Sequence, residues 1–240
     1  LCRPSGHHCR GDRASGFCYL NNAAIAVETL LDRFARVATL DVDAHHGDGT
    51  QEIFYRRDDV FTASVHVDPR AYYPWFTGFA HEAGSELGQG FNLNLPLVPG
   101  SGDAPFLAAV EHGLAAIRDF GAEALVLPLG YDAHAQDPLT ALTVSTAGFG
   151  SLGRLIRDFG LPVVIVQEGG YGIEVIGDCL DAFLTGEPKH EMFYEPFENG
   201  INAMFGGHYM TETIGVNLLA EKIRDEFDLD FRFIYLPTGL

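Results

Sequence analysis

Asp41-Val42-Asp43-Ala44-His45-His46-Gly47-Asp48 places carboxylates and imidazoles at the end of an otherwise apolar run, residues 37–42. An apolar strand of that length suits a buried parallel sheet, whose ligands gather at the strands' carboxyl ends. Asp43 and His45 are two positions apart, so an extended backbone would project both side chains from one face. Oxygen and imidazole donors together suit zinc, and a catalytic zinc takes three protein ligands. Asp132 supplies the third, because it follows a second apolar run at residues 124–129 in Leu129-Gly130-Tyr131-Asp132. The plainer alternative makes each aspartate an ordinary cap or turn residue.

Two further segments carry reactive side chains. His7 and His8 follow Pro4 and Gly6 in a loop-like stretch, where binding groups are commonly mounted. Tyr171 follows Gly169 and Gly170 after the apolar residues 163–166, a backbone that could hold its hydroxyl over a ligand. A tyrosine alone is as readily structural.

The elements that must carry these groups are legible in the periodicity. Residues 37–42, 60–66, 124–129 and 163–167 read as strands. Residues 22–31, 105–120 and 146–159 read as helices. Alternation of strand and helix predicts an α/β fold, a parallel sheet flanked by helices.

Several ordered motifs together resemble the histone deacetylase superfamily over residues 1–188. They are Gly6-His7-His8, Gly16-Phe17-Cys18-Tyr19-Leu20-Asn21-Asn22, Asp41 to Gln51, Ser64-Val65-His66, Asp132 with Asp137-Pro138-Leu139, and Glu168-Gly169-Gly170-Tyr171. Within the superfamily, Ser64-Val65-His66-Val67-Asp68-Pro69, the aromatic run Tyr72-Tyr73-Pro74-Trp75-Phe76 and the segment from Gln167 to Tyr171 are most similar to the bacterial acetylpolyamine amidohydrolases. The resemblance implies an arginase/deacetylase-like sheet and zinc-dependent hydrolysis of an acetyl-amide, with acetylated polyamines as substrates. Acetyl-lysine on protein is the competing substrate, and a non-catalytic metal-binding fragment is the competing class.

By resemblance, Asp43, His45 and Asp132 hold one zinc, which would acidify a water. His8 is implied as general base and then acid, His7 as mainly electrostatic, and Asp41 and Asp48 as the carboxylates that orient His7 and His8. Tyr171 would donate to the amide oxygen. A structural potassium ion is implied near Asp41 and Ser64. Gly16, Phe17 and Tyr73 match the tunnel that takes an aliphatic chain, and simple core packing is the alternative for the two aromatics. A complete domain of that family is longer than the matched stretch, so its first strands, early helices and amino-terminal mouth loop, often the dimer contact, are expected outside this sequence; a homodimer is allowed.

Composition narrows the partners. With 15 basic against 33 acidic residues, the net charge is −18, which repels a phosphate backbone and attracts a small cationic amine. Solubility alone also accounts for an acidic surface. No apolar run is long enough to span a membrane, and four cysteines without zinc-like spacing accord with the cytoplasmic location the family implies.

Residues 189–240 read as a second unit. Gly206-Gly207-His208-Tyr209-Met210-Thr211-Glu212, with Val216-Asn217-Leu218-Leu219-Ala220 and Phe231-Arg232-Phe233-Ile234, resembles the carboxyl end of the NGG-one interacting factor three-like proteins, an α+β tail from a different fold. In that family the motif's His and Glu, here His208 and Glu212, ligate a dinuclear metal centre. Four residues apart, they would share a helix face, and an exposed helix pair is the favoured alternative. Joining parts of two families without a Gly/Ser linker predicts apolar sheet faces or edges left uncovered.

Overall fold

The computed structural model describes residues 5–185; His208, Glu212 and the expected elements of the tail lie outside them. Helix α1 (Asn22–Leu31) starts where the Asn21 side chain accepts from the Ala24 amide. Strand β1 (Val37–Asp41), helix α2 (Asp48–Phe54) and strands β2 (Val60–Val67) and β3 (Asn92–Leu97) follow, then helix α3 (Asp103–Phe120), strand β4 (Ala124–Leu129), helix α4 (Thr146–Phe159), strand β5 (Val163–Gln167) and helix α5 (Ile173–Thr185). All strand pairs are parallel, in the order β3-β2-β1-β4-β5.

Every residue of β1, β2 and β4 is buried, and successive side chains serve opposite faces. Ala38, Leu40, Leu125, Leu127 and Leu129 join the cluster beneath α3, α4 and α5, with Phe106, Val110, Phe149 and Phe183. Val37, Val60, Ala124 and Val126 face the other way, onto Ala23 and Val27 of α1 and Phe54 of α2. The sheet faces are therefore covered, contrary to the expectation of bare faces. The edge strand β5 does remain half-buried over Val163, Val164 and Ile165.

Chain order runs outward from β1 in both directions, to β2 and β3 on one side and to β4 and β5 on the other. A crevice opens where such a sheet reverses direction, at the carboxyl ends of its strands. Asp43 and His45 leave β1 there, Asp132 leaves β4, and Tyr171 leaves β5.

The periodic elements stand where the residue pattern puts them. Strand β1 stops one residue early, at Asp41, and α3 begins two residues early, at Asp103. Three elements escape the pattern. Helix α2 is only seven residues long and begins inside the Asp/His motif; β3 reads Asn-Leu-Asn-Leu-Pro-Leu, its asparagines and proline masking an edge strand; α5 follows directly on the glycines.

Helix α2 also docks the tandem-histidine loop. Its Gly49 and Thr50 amides donate to the His7 carbonyl at 3.0 and 3.1 Å, using N–H groups that a helix start leaves free. A Cβ on Gly49 would stand 2.2 Å from the Cys9 carbonyl oxygen. Gly49→Ala is therefore expected to destabilise the fold by about 1–3 kcal/mol, read from the midpoint of urea unfolding.

Candidate metal centre

The Asp43 to His45 segment is not the extended backbone that a two-residue spacing suggests. Asp41 Oδ1 accepts from the Asp43 amide at 3.1 Å, and Asp43 Oδ1 accepts from the His45 amide at 2.8 Å. These successive aspartate turns bend the chain back over the strand end, and both side chains still reach one point. Donor atoms of Asp43, His45 and Asp132 all lie within 4.8 Å of one another. His45 Nδ1 is 2.9 Å from Asp132 Oδ2 and 3.1 Å from Asp43 Oδ1.

The turn bonds of these aspartates are compatible with a metal role. Asp132 uses Oδ1 to accept from the Ala44 amide at 2.9 Å, and Asp43 uses Oδ2 to accept from the Gly169 amide at 2.7 Å. Both carboxylates are at most 1% exposed. Burial, reinforced by the charge of Asp43, pushes Asp132 up to about 7. Burial lowers the His45 pKa, but the hydrogen bonds its ring donates to Asp132 and Asp43 outweigh this and hold it up at about 10. A buried set of two carboxylates and one imidazole attracts a cation, and its hard and borderline donors suit zinc. Gly169 lies against it so closely that a Cβ there would stand 2.3 Å from Asp132 Oδ2 and 2.6 Å from Asp43 Oδ2.

The tandem histidines stand beside this cluster with rings 4.1 Å apart. His7 Nδ1 bonds Asp41 Oδ2 at 2.8 Å, and His8 Nδ1 bonds Asp48 Oδ1 at 2.7 Å. Their electrostatics diverge. Burial opposes a charge on His7, but Asp41, Asp43 and Glu168 outweigh it and hold its pKa well above the ordinary value. Burial together with the charge of His7 lowers His8 to about 4. The surroundings thus drive the two imidazoles in opposite directions, His7 toward its charged form and His8 toward its neutral one.

A cavity of about 330 Å³ opens over these groups; His7, His8, Gly16, Phe17, Asp43, His45, Tyr73, Asp132 and Tyr171 all line it, joined by Ser5, Leu139 and Gly169. Phe17 is 78% exposed with a positive φ of 65°, so core packing does not explain it. The Tyr73 ring meets His8 edge-on at 4.9 Å, and its hydroxyl lies 3.0 Å from Ser15 Oγ. Asp41 and Asp48 stand behind the histidines. Asp41 and Ser64 are register neighbours on β1 and β2 and line a separate polar cavity of about 10 Å³.

Over residues 1–186 the chain matches the histone deacetylase domain. It belongs to that family. The acetylpolyamine amidohydrolase of Burkholderia pseudomallei is 53% identical over 186 residues, covering 78% of this chain and 54% of that protein. Acetylpolyamine amidohydrolase 1 of Pseudomonas aeruginosa is 49% identical, covering 74% and 51%. The crystal structure of the Burkholderia pseudomallei acetylpolyamine aminohydrolase superposes with a TM-score of 0.75 at 53% identity, over 76% of this chain and 53% of that one. The chain spans about half the length of the curated relatives it matches. Residues 168–238 match a second family, Duf34/NIF3 (NGG1p interacting factor 3).

Some residues that shape this deacetylase-family site had no role in the sequence reading. Tyr72 stacks on the His45 ring at 4.6 Å, although only its neighbour Tyr73 stood out. The Arg10 guanidinium donates to Asp48 Oδ2 at 2.7 Å, tying down the partner of His8. Glu168, fully buried, accepts from the amides of Gly6 and His7 at 2.6 and 3.1 Å, and burial pushes its carboxyl up to about 7. A basic residue two positions past the histidines and an acid before the glycines were the available signals.

Asp132→Ala is expected to abolish bound zinc, and Gly169→Ala to weaken zinc binding by about 10-fold or more, both measured by competition with a chromophoric chelator. Without a cation, His45 carries its proton below about pH 10, and a metal needs the neutral ring. Zinc binding at pH 8 should therefore release protons, with affinity rising as pH increases toward that value. Calorimetry in buffers of different ionisation enthalpy measures the release.

Proposed function

We propose that the chain is a zinc-dependent amidohydrolase that removes acetyl groups from acetylated polyamines, with Asp43, His45 and Asp132 as metal ligands and His7, His8 and Tyr171 as catalytic groups. The observation that carries the reading is the shared cavity: the three candidate ligands, His7, His8 and Tyr171 all line one space. Zinc, when bound there, would polarise the amide carbonyl and acidify the attacking water.

His8 takes a proton from the water as its oxygen attacks the carbonyl carbon. Its lowered pKa keeps it neutral and ready, and Asp48 fixes its orientation through Nδ1, leaving Nε2 to accept. The carbonyl oxygen gains charge as the tetrahedral carbon forms. Tyr171 donates its hydroxyl hydrogen to that oxygen; burial and the charges of Asp43 and Asp132 raise its pKa, so the proton is retained. His7, pushed toward its charged form by Asp41 and the other nearby acids against its burial, adds positive potential. The C–N bond then breaks, His8 returns its proton to the leaving nitrogen, and acetate and an amine result.

The substrate class rests on complementary features. A net charge of −18 favours a small cationic amine over nucleic acid. Phe17 and Tyr73 offer apolar walls to an aliphatic chain, and the similar proteins of Burkholderia pseudomallei and Pseudomonas aeruginosa are acetylpolyamine amidohydrolases. A potassium ion near Asp41 and Ser64, which are register neighbours on β1 and β2, completes the reading. The free thiols of Cys9, Cys18 and Cys179 favour a reducing, cytoplasmic setting. Among the described residues no helix is long and apolar enough to cross a membrane. We read residues 1–188 as the deacetylase-like unit and 189–240 as a separate one.

Hydrolysis of N-acetylputrescine beside an acetyl-lysine peptide tests the proposal, with zinc content measured on the same sample. Faster turnover of the polyamine is expected, and faster turnover of the peptide would overturn the substrate assignment. Silence on both with zinc bound would favour a non-catalytic metal-binding chain. Tyr171→Phe should keep zinc and lose about 10²–10³-fold in turnover, the scale of one oxyanion donor.

A further inference from the structure

Asp137 belongs to a motif singled out in the sequence, yet neither metal binding nor proton transfer uses it. It lies in the turn after the short 3-10 segment Tyr131–Ala133 and is 5% exposed. Asp137 Oδ2 accepts from the Tyr171 amide at 2.6 Å and from the Gly172 amide at 2.8 Å, while Oδ1 accepts from the Leu139 amide at 2.9 Å. One buried carboxylate thus spends both oxygens on backbone, and two of its three bonds hold the residue that carries the proposed oxyanion donor and its neighbour.

The segment needs such a hold. Gly170 adopts φ of +136°, a conformation open to glycine that leaves the direction of the next residue unset. On its near side the chain is tied by the Gly169 amide to Asp43 Oδ2 at 2.7 Å and by the Gly169 carbonyl to the Tyr131 amide at 2.9 Å. On its far side the two amides are tied to Asp137, while the carbonyls of Tyr171 and Gly172 accept from the start of α5, from the Ile173 amide at 3.1 Å and from the Val175 and Ile176 amides at 2.9 and 3.2 Å. Among the described residues none hydrogen-bonds the Tyr171 hydroxyl, so the aim of the ring rests on its backbone. Asp43 and Asp137 therefore grip the Gly-Gly-Tyr segment from its two ends, and only Asp43 faces the metal cluster.

We infer that Asp137 is a positioning residue for Tyr171, fixing the phenol over the cavity through the Tyr171 and Gly172 amides. The inference rests on the reading of Tyr171 as oxyanion donor. A misplacement of about 1 Å at a reacting group costs about 10²-fold in rate, so the loss should fall on kcat, with KM little changed.

Asp137→Asn is nearly isosteric but leaves only one accepting oxygen for three amides. The chain is labelled with 3-fluorotyrosine, and the Tyr171 resonance is assigned by its absence in Tyr171→Phe. In Asp137→Asn the 19F resonance of Tyr171 should shift or broaden while the other tyrosines hold, with zinc content unchanged; an unmoved Tyr171 resonance would overturn the inference. Turnover should fall by about 10²-fold in the wild-type background and by far less in Tyr171→Phe. An equal factor in both backgrounds would mean that Asp137 does not act through Tyr171. Should the variant not fold, hydrogen exchange on the wild-type chain decides: the Tyr171 and Gly172 amides should be protected, and rapid exchange of both would sink the assignment. A wild-type chain inactive on both acetylated substrates would end the hydrolase reading, and the fluorine and exchange results would still decide whether Asp137 holds Tyr171.

Discussion

Asp43 and Asp132 place two carboxylates side by side at the carboxyl end of the central strands, at most 1% exposed. Burying like charges together is costly unless hydrogen bonds and a cation compensate. Here the compensation comes from the amides of Ala44, His45 and Gly169 and from the His45 imidazole. Together these bonds join three parts of the chain at the cluster: the turn after β1, the start of the loop after β4, and the glycine segment after β5. The shape of the crevice is set by the need to satisfy those oxygens, and the negative charge that remains would favour a bound cation.

The same requirement spreads outward. The acids around His7 push it toward its charged form against its burial, whereas burial and the neighbouring His7 lower His8 to about 4. Two adjacent residues of one type are thereby shifted in opposite directions by their surroundings. Asp48 carries this one step further, since it orients His8 while Arg10 saturates its other oxygen. Glu168 binds the loop bearing the histidines by two backbone amides, which joins the loop after β5 to the loop before α1 beside the candidate ligands.

Residues 168–186 fall within both family matches. In the structure α5 packs on α4 closely enough that a Cβ on Gly153 would stand 1.9 Å from the Phe183 carbonyl oxygen, and Phe183 and Cys179 enter the main core cluster. The described part of that shared stretch is integral to the sheet-and-helix body that carries the site.

Periodicity and motif order by themselves determined the parallel sheet, four of its five strands and the residues at the strand ends, because burial on both faces demands uninterrupted apolar runs and a functional carboxylate interrupts them conspicuously. Asp43, His45 and Asp132 were legible for that reason, and the roles of Asp41 and Asp48 were legible only through resemblance. Hidden from the sequence were α2, β3 and α5, which are short, edge-placed or overlaid on a motif. So were Tyr72 against His45, Arg10 behind Asp48 and the grip of Asp137 on Tyr171. These contacts join residues as far as 34 and 38 positions apart, and no local pattern encodes them. Only the packed sheet brings the loops within hydrogen-bond distance, and only that proximity sets His7 apart from His8, since a pKa depends on the charges and burial around a group and not on its place in the chain.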